Sequence, residues 1–256
     1  LTEQGLLPEQ GAMLCVHHDK GEALETSVKP AEVEGVRGFW LDLGQPTFGP
    51  EAVGAQAVQS AQFNNRDVSH VQPLAQLDPT WTHSQFVRIG NPHCVTLLSD
   101  ASALPSNEQM GESPLNERLT AIAYAMPTGA GNPCPAGVNL QWAALASPQK
   151  IAARVFERGE GPTASSGTSA SAVACAAWRV GWVEAGKCGW SCPAAPHRFC
   201  LRFRKGSCCA SDCLARRGWR VDSADAIAGK PGSHRFCVRA RSCAQHKTCG
   251  SLACQR

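Results

Sequence analysis

Hydrophobic positions along the first 187 residues fall in short runs cut by Gly, Pro, Asn or Asp. "ALETSVKP" (23–30), "VRGFWLDLGQP" (36–46), "SQFVRIG" (84–90), "HCVTLLS" (93–99), "VNLQWAALA" (138–146) and "KIAARVFERG" (150–159) predict strands. Between them, "ESPLNERLTAIAYAM" (112–126) places Leu115, Leu119 and Ile122 at helical spacing behind a Ser-Pro start. Residues from about 50 to 80 are polar and poorly periodic, which predicts a connection between domains. "MPTGAGNPCPAG" (126–137) predicts a loop. The pattern is that of a mixed α+β chain.

The best-defined element starts inside "RVFERGEGPTASSGTSASAVACAAWRVGWVEAG" (154–186), which reads as strand, glycine-punctuated turn and long alanine-rich helix. Ser166 is placed as its N-cap after Ser165, Gly167 and Thr168 open it, and Gly186 is placed to end it. Unsatisfied N–H groups and the positive dipole end at such a helix start suit an anion, although many such starts bind nothing.

Composition divides the chain near Lys187. Hydrophobic residues make up 43% and mean hydropathy is -0.21, ordinary for a soluble protein. No apolar run reaches the length of about eighteen residues that a membrane helix needs, and "LTEQGLLPEQ" does not have the form of a signal peptide. The missing initiator methionine predicts processing or a truncated reading. Residues 1–187 hold 11 Lys+Arg against 18 Asp+Glu and four cysteines, Cys15, Cys94, Cys134 and Cys175. Residues 188–256 hold 13 against 3, and the other ten of the 14 cysteines.

Three motifs then narrow the chemistry. They are "GNPHCV" (90–95), "GVN" (137–139) and "ERGEGPTASSGTSA" (157–170). Their order and spacing resemble diaminopimelate epimerase, and the resemblance runs from about residue 10 to residue 187, "WLDLGQPTF" included. It implies two similar domains, each a β-barrel-like sheet around a central helix, with the first incomplete here. The expected division is 1–65 for the rest of the N-terminal domain, 66–187 for the C-terminal domain and 188–256 for a poorly ordered tail. It implies PLP-independent, cofactor-free, two-base interconversion of LL- and meso-diaminopimelate, serving lysine and peptidoglycan synthesis in the cytoplasm. Two cysteines facing the substrate α-carbon would exchange its proton, because a thiol pKa of about 8.5 can be lowered at a helix N-terminus. A homodimer is an assembly the resemblance allows, and neither nucleic acid nor membrane is an expected partner.

Residue by residue, the resemblance assigns catalytic places to Ser166, His93 and Glu157. Asn91, Asn139, Glu157, Arg158, Gly167 and Thr168 become substrate-binding residues, with the α-carboxylate on the amides of Gly167 and Thr168. No metal ligands are implied. Read alone, His93 could be a satisfied core histidine and Glu157–Arg158 a surface ion pair.

Three departures accompany the match. Counting nine residues from Glu157 reaches Ser166, where the resemblance expects cysteine; an alcohol is a far weaker acid and a poor base near pH 7. Cys175 is no stand-in, lying roughly 13 Å further along the helix at 1.5 Å per residue. The Gly-Asn-Gly-x-x-Cys motif expected for the other catalytic cysteine does not occur in this sequence, and Cys15 and Cys134 do not replace it. The tail, finally, departs from the expected strand, Pro-Gly-Gly turn and strand. Back-translating "KCGWSCPAAP" and restoring one G after the Lys187 codon gives Lys-Val-Arg-Val-Glu-Leu-Pro-Gly-Gly-Thr, so a shifted reading frame is the expectation; an intact gene sequence there would sink it. The alternative is a zinc or nucleic-acid module, although no CxxC knuckle occurs in the tail. Little epimerase activity is expected of the chain. The alternatives are another isomerase or dehydratase of the same fold that uses Ser166, or an inactive remnant.

Overall fold

The computed structural model describes residues 8–16, 24–33, 36–55, 58–124, 137–148, 150–164, 166–183, 187–191, 198–205, 219–224 and 238–241. The chain forms two compact units, Leu1–Asp42 with Ala226–Arg256, and Leu43–Asp225. In the first, β1 (Ala12–Val16), β2 (Leu24–Val33) and β3 (Val36–Asp42) pair antiparallel in sequence order.

The second unit carries every candidate site residue. Its elements are β4 (Thr47–Phe48), β5 (Gln59–Phe63), β6 (Arg66–His70), α1 (Gln72–Leu77), β7 (Ser84–Ile89), β8 (Asn91–Leu98), α2 (Asn107–Gly111) and α3 (Leu115–Tyr124). They continue with β9 (Asn139–Ser147), β10 (Lys150–Glu157), β11 (Gly161–Thr163), α4 (Gly167–Arg179), β12 (Lys187–Ser191), β13 (Arg198–Lys205) and β14 (Trp219–Ala224). The last strand, β15 (Val238–Arg241), pairs antiparallel with β1 in the first unit. The fold class is α+β, as the hydrophobic pattern predicts.

In the second unit the strand order is β14-β13-β12-β10-β9-β8-β7-β6-β5, with β11 beside β10 and β4 beside β7. All neighbours are antiparallel except β8/β9 and β10/β12. A parallel pair needs a crossover, and the two helical connections supply one each. The chain between β8 and β9 passes through α3, and that between β10 and β12 passes through α4.

Strand parity sorts the core onto these two helices. Val87, Ile89, Val95, Leu97, Ala143, Ile151 and Ala153 face α4, whereas Phe86, Cys94, Leu140, Trp142, Ala144 and Phe156 join Leu119, Ile122 and Ala123 of α3. With both faces covered, β8 reads as a nearly continuous buried run, which is why its sequence hardly alternates. Nine consecutive residues of α4, Ser169 to Ala177, are buried, so the helix is enclosed around its circumference over that span. Its Ala and Ser side chains permit this, because larger groups would hold the sheet away. Cys175 belongs to that packed core.

Two expectations from the pattern need correcting. The polar stretch 50–80 is no connection: it contains a 3-10 turn, the β5–β6 hairpin and α1. Asn64 and Asn65, at φ 51° and 56°, make the hairpin turn, in the left-handed region that asparagine tolerates. The helix also stops before Gly186, which lies outside the described residues. Gly181 (φ 76°) donates its N–H to Trp178 and Trp182 to Ala177, the bond pair of a Schellman stop, with Trp182 packed on the α4 core.

Candidate active site

Parity brings the polar motif residues to one place. His93 on β8 is in register with Asn139 on β9, and Glu157 ends β10 on the α4-facing side. The start of α4 meets them there. Ser166 is its N-cap in extended conformation, and its Oγ accepts the Ser169 N–H at 3.5 Å. The Ser169 hydroxyl donates to Glu157 Oε1 at 3.5 Å and accepts from Gln141 Nε2 at 3.1 Å. The same Gln141 nitrogen lies 3.0 Å from His93 Nδ1. His93, Gln141 and Ser169 each have 0% exposure, while Ser166 and Glu157 are half-buried. The arrangement is a polar chain running from the half-open helix start down to a sealed imidazole.

Burial pushes the His93 pKa from 6.5 to about 4, and the backbone of Ile89 partly opposes that shift. Desolvation disfavours the charged ring, so His93 is neutral near pH 7. A neutral ring is not a cationic acid, and this one meets the Gln141 amide nitrogen.

The remaining motif residues take distinct places. Asn139 is half-buried, and its Oδ1 accepts the Arg158 N–H at 2.9 Å, which leaves its amide NH2 as the donating end. Gly137, at φ 63°, sits where a Cβ would fall 2.4 Å from the Ala123 carbonyl and 2.8 Å from Arg158 Cδ. Only glycine fits that junction. Arg158 is exposed and lies over it, whereas Glu157 turns to Ser169, so the adjacent pair does not act as an ion pair among the described residues. Asn91 is exposed at the start of β8, next to Gly90, whose Cβ position would lie 3.8 Å from Thr168 Cγ2. The β7–β8 turn therefore lies beside the helix start. Gly167 and Thr168 are the first helical residues, and their amides are among the four that a helix cannot itself satisfy.

Gln141 and Ser169 were not among the candidate residues. A signal existed: Gln141 is polar at an inward-facing position of a buried strand, and Ser169 is polar in the first turn of a buried helix. Among the described residues no His/Cys/Asp/Glu group could hold a metal ion, and no helix is long and apolar enough to cross a membrane. Ser165, Cys134 and the tail cysteine side chains lie outside the described residues.

No family model matches the chain. Over 146 residues, 56% of its length, it is 30% identical to the diaminopimelate epimerase of Pseudomonas syringae pv. syringae (strain B728a), covering 44% of that protein. It is 28% identical over 184 residues to the diaminopimelate epimerase of Paraburkholderia xenovorans (strain LB400), which is 72% of this chain and 55% of that one. The chain thus spans about half the length of the curated relatives it matches. Among solved structures, a Bacillus anthracis phenazine biosynthesis protein of the PhzF family aligns with a TM-score of 0.48 and 15% identity, covering 88% of this chain and 68% of that one. Likeness at that level carries no argument about the site.

Proposed function

We propose that this chain, similar in sequence to diaminopimelate epimerases over more than half its length, carries one side of a cofactor-independent amino-acid epimerase or isomerase site, with diaminopimelate as substrate. The observation that supports this reading is the convergence of Ser166, Ser169, Glu157, Gln141 and His93 at the start of α4. The substrate α-carboxylate lies against the Gly167 and Thr168 amides, at the positive end of the helix dipole. Asn139 donates its free NH2 to the same group. Glu157 takes the α-ammonium with whatever acceptor capacity Ser169 leaves, and Arg158 and Asn91 close the exposed rim. Helix-end amides then stabilise negative charge that builds as the α-proton leaves.

Ser166 holds the proton-transfer position. Its hydroxyl delivers a proton or hydrogen bond far more readily than it removes one, so epimerase turnover is expected to be low. This residue also favours the second reading, a one-sided isomerisation or dehydration on the same scaffold.

Calorimetric titration with meso-diaminopimelate, with lysine as control, tests the substrate. Gly167→Pro tests the carboxylate seat, because proline is tolerated at the first helical position and Ser166 already has the extended backbone it requires. The substitution removes one amide donor to a charged group, a loss of about 1.5 kcal/mol or roughly tenfold in affinity. Equal affinity for lysine, or no loss in Gly167→Pro, would count against the proposal.

A further inference from the structure

The hydrogen bonds around Gln141 take one direction once the Glu157 carboxylate is their terminal acceptor. The Glu157 carboxylate accepts only, so the Ser169 hydroxyl must spend its single proton on it. Ser169 Oγ must then receive its bond from Gln141, which puts the amide nitrogen, not the oxygen, at that junction. That same nitrogen lies 3.0 Å from His93 Nδ1 and can only donate. Nδ1 is therefore the acceptor, and the ring proton resides on Nε2.

We infer that Gln141 and Ser169 are positioning residues that pass the orientation of Glu157 to His93 and lock its imidazole as the Nε2–H tautomer. All three inner members are fully buried, so bulk water cannot exchange places with any link. Among the described residues no hydrogen-bond partner within bonding geometry reaches His93 Nε2 or Gln141 Oε1; beside the Ile89 backbone, the Gln141 amide nitrogen is the side-chain group that orients the ring. An inverted amide would turn the Ser169 proton away from Glu157. The tautomer is inferred from the Glu157–Ser169–Gln141–His93 contacts without reference to substrate; its use, holding the helix start and Glu157 in one fixed geometry, rests on the function proposed above.

Nitrogen-15 NMR of the intact chain at pH 7, without substrate, reads the tautomer directly, because protonated and bare ring nitrogens resonate far apart. The His93 signals are assigned by their loss in His93→Gln. The wild type is expected to show a bare Nδ1 and a protonated Nε2. In Gln141→Glu, a carboxylate replaces the donating nitrogen and the proton is expected to move to Nδ1. If that variant does not fold, Ser169→Ala removes the hydroxyl that orients the amide and should populate both tautomers. A protonated Nδ1 or an imidazolium in the wild type overturns the inference. So does an unchanged single tautomer in a folded variant. Since no substrate is used, these results are independent of whether diaminopimelate binds or reacts.

Discussion

Acid should destabilise the second unit through His93, and the size of the effect follows from its surroundings. The buried ring titrates at about 4 in place of 6.5. Between those values the unfolded chain holds a proton at this position that the folded chain refuses. Stability is therefore fully retained above pH 6.5 and is lost as pH falls towards 4, at about 1.4 kcal/mol per unit, or about 3 kcal/mol over the window. Below pH 4 both states hold the proton and the loss stops growing. Carboxylates also titrate in this range, so the informative quantity is the difference between wild type and His93→Gln, which has no charge to gain. Urea unfolding followed by fluorescence reports on the right unit, since Trp81 and Trp142 are both buried in it. At pH 7 the variant should be less stable by about 1 kcal/mol, the worth of the bond to Gln141. By pH 4 the order should reverse, the difference having moved by about 3 kcal/mol in the variant's favour. A difference that stays constant with pH would mean that His93 titrates freely, and the description of a sealed, neutral imidazole would be wrong.

Two further substitutions probe the frame that holds the site. Gly137→Ala should lower stability by at least about 2 kcal/mol in the same urea assay, combining left-handed backbone strain with a clash against the Ala123 carbonyl, and should weaken diaminopimelate binding by displacing Arg158. Ala176→Leu overfills the enclosed middle of α4, where exposure is 0%, and should cost about 1–3 kcal/mol; an unchanged midpoint would show that the sheet does not close on the helix there.

Much of this arrangement was legible in the sequence because it depends on local periodicity. The six strand runs and α3 occur where hydrophobic spacing places them. Ser166, Gly167 and Thr168 open α4 as cap chemistry predicts. The missed features are those that tertiary contacts decide. The β5–β6 hairpin is polar because one of its faces stays exposed, and its turn signal, Asn64-Asn65, lacks the usual glycine. Gly181 and Gly186 both offer a helix stop; the packing of Trp182 on the α4 core accompanies the stop at Gly181. Motif spacing singled out His93, Asn139 and Glu157. It could not single out Gln141, whose importance comes from facing His93 and Ser169 from separate elements.

The central claim is that Ser166 occupies a proton-transfer position over the substrate α-carbon. Incubating wild type, Ser166→Cys and Ser166→Ala with meso-diaminopimelate in heavy water, and following deuterium at the α-position by NMR, tests it most directly. A thiol at this helix start has a depressed pKa and can act as the base that serine cannot. Ser166→Cys should therefore exchange at least about tenfold faster than wild type, a barrier lowered by about 1.4 kcal/mol, while Ser166→Ala shows no gain. Folded Ser166→Cys that binds diaminopimelate yet exchanges no faster than Ser166→Ala would contradict the account.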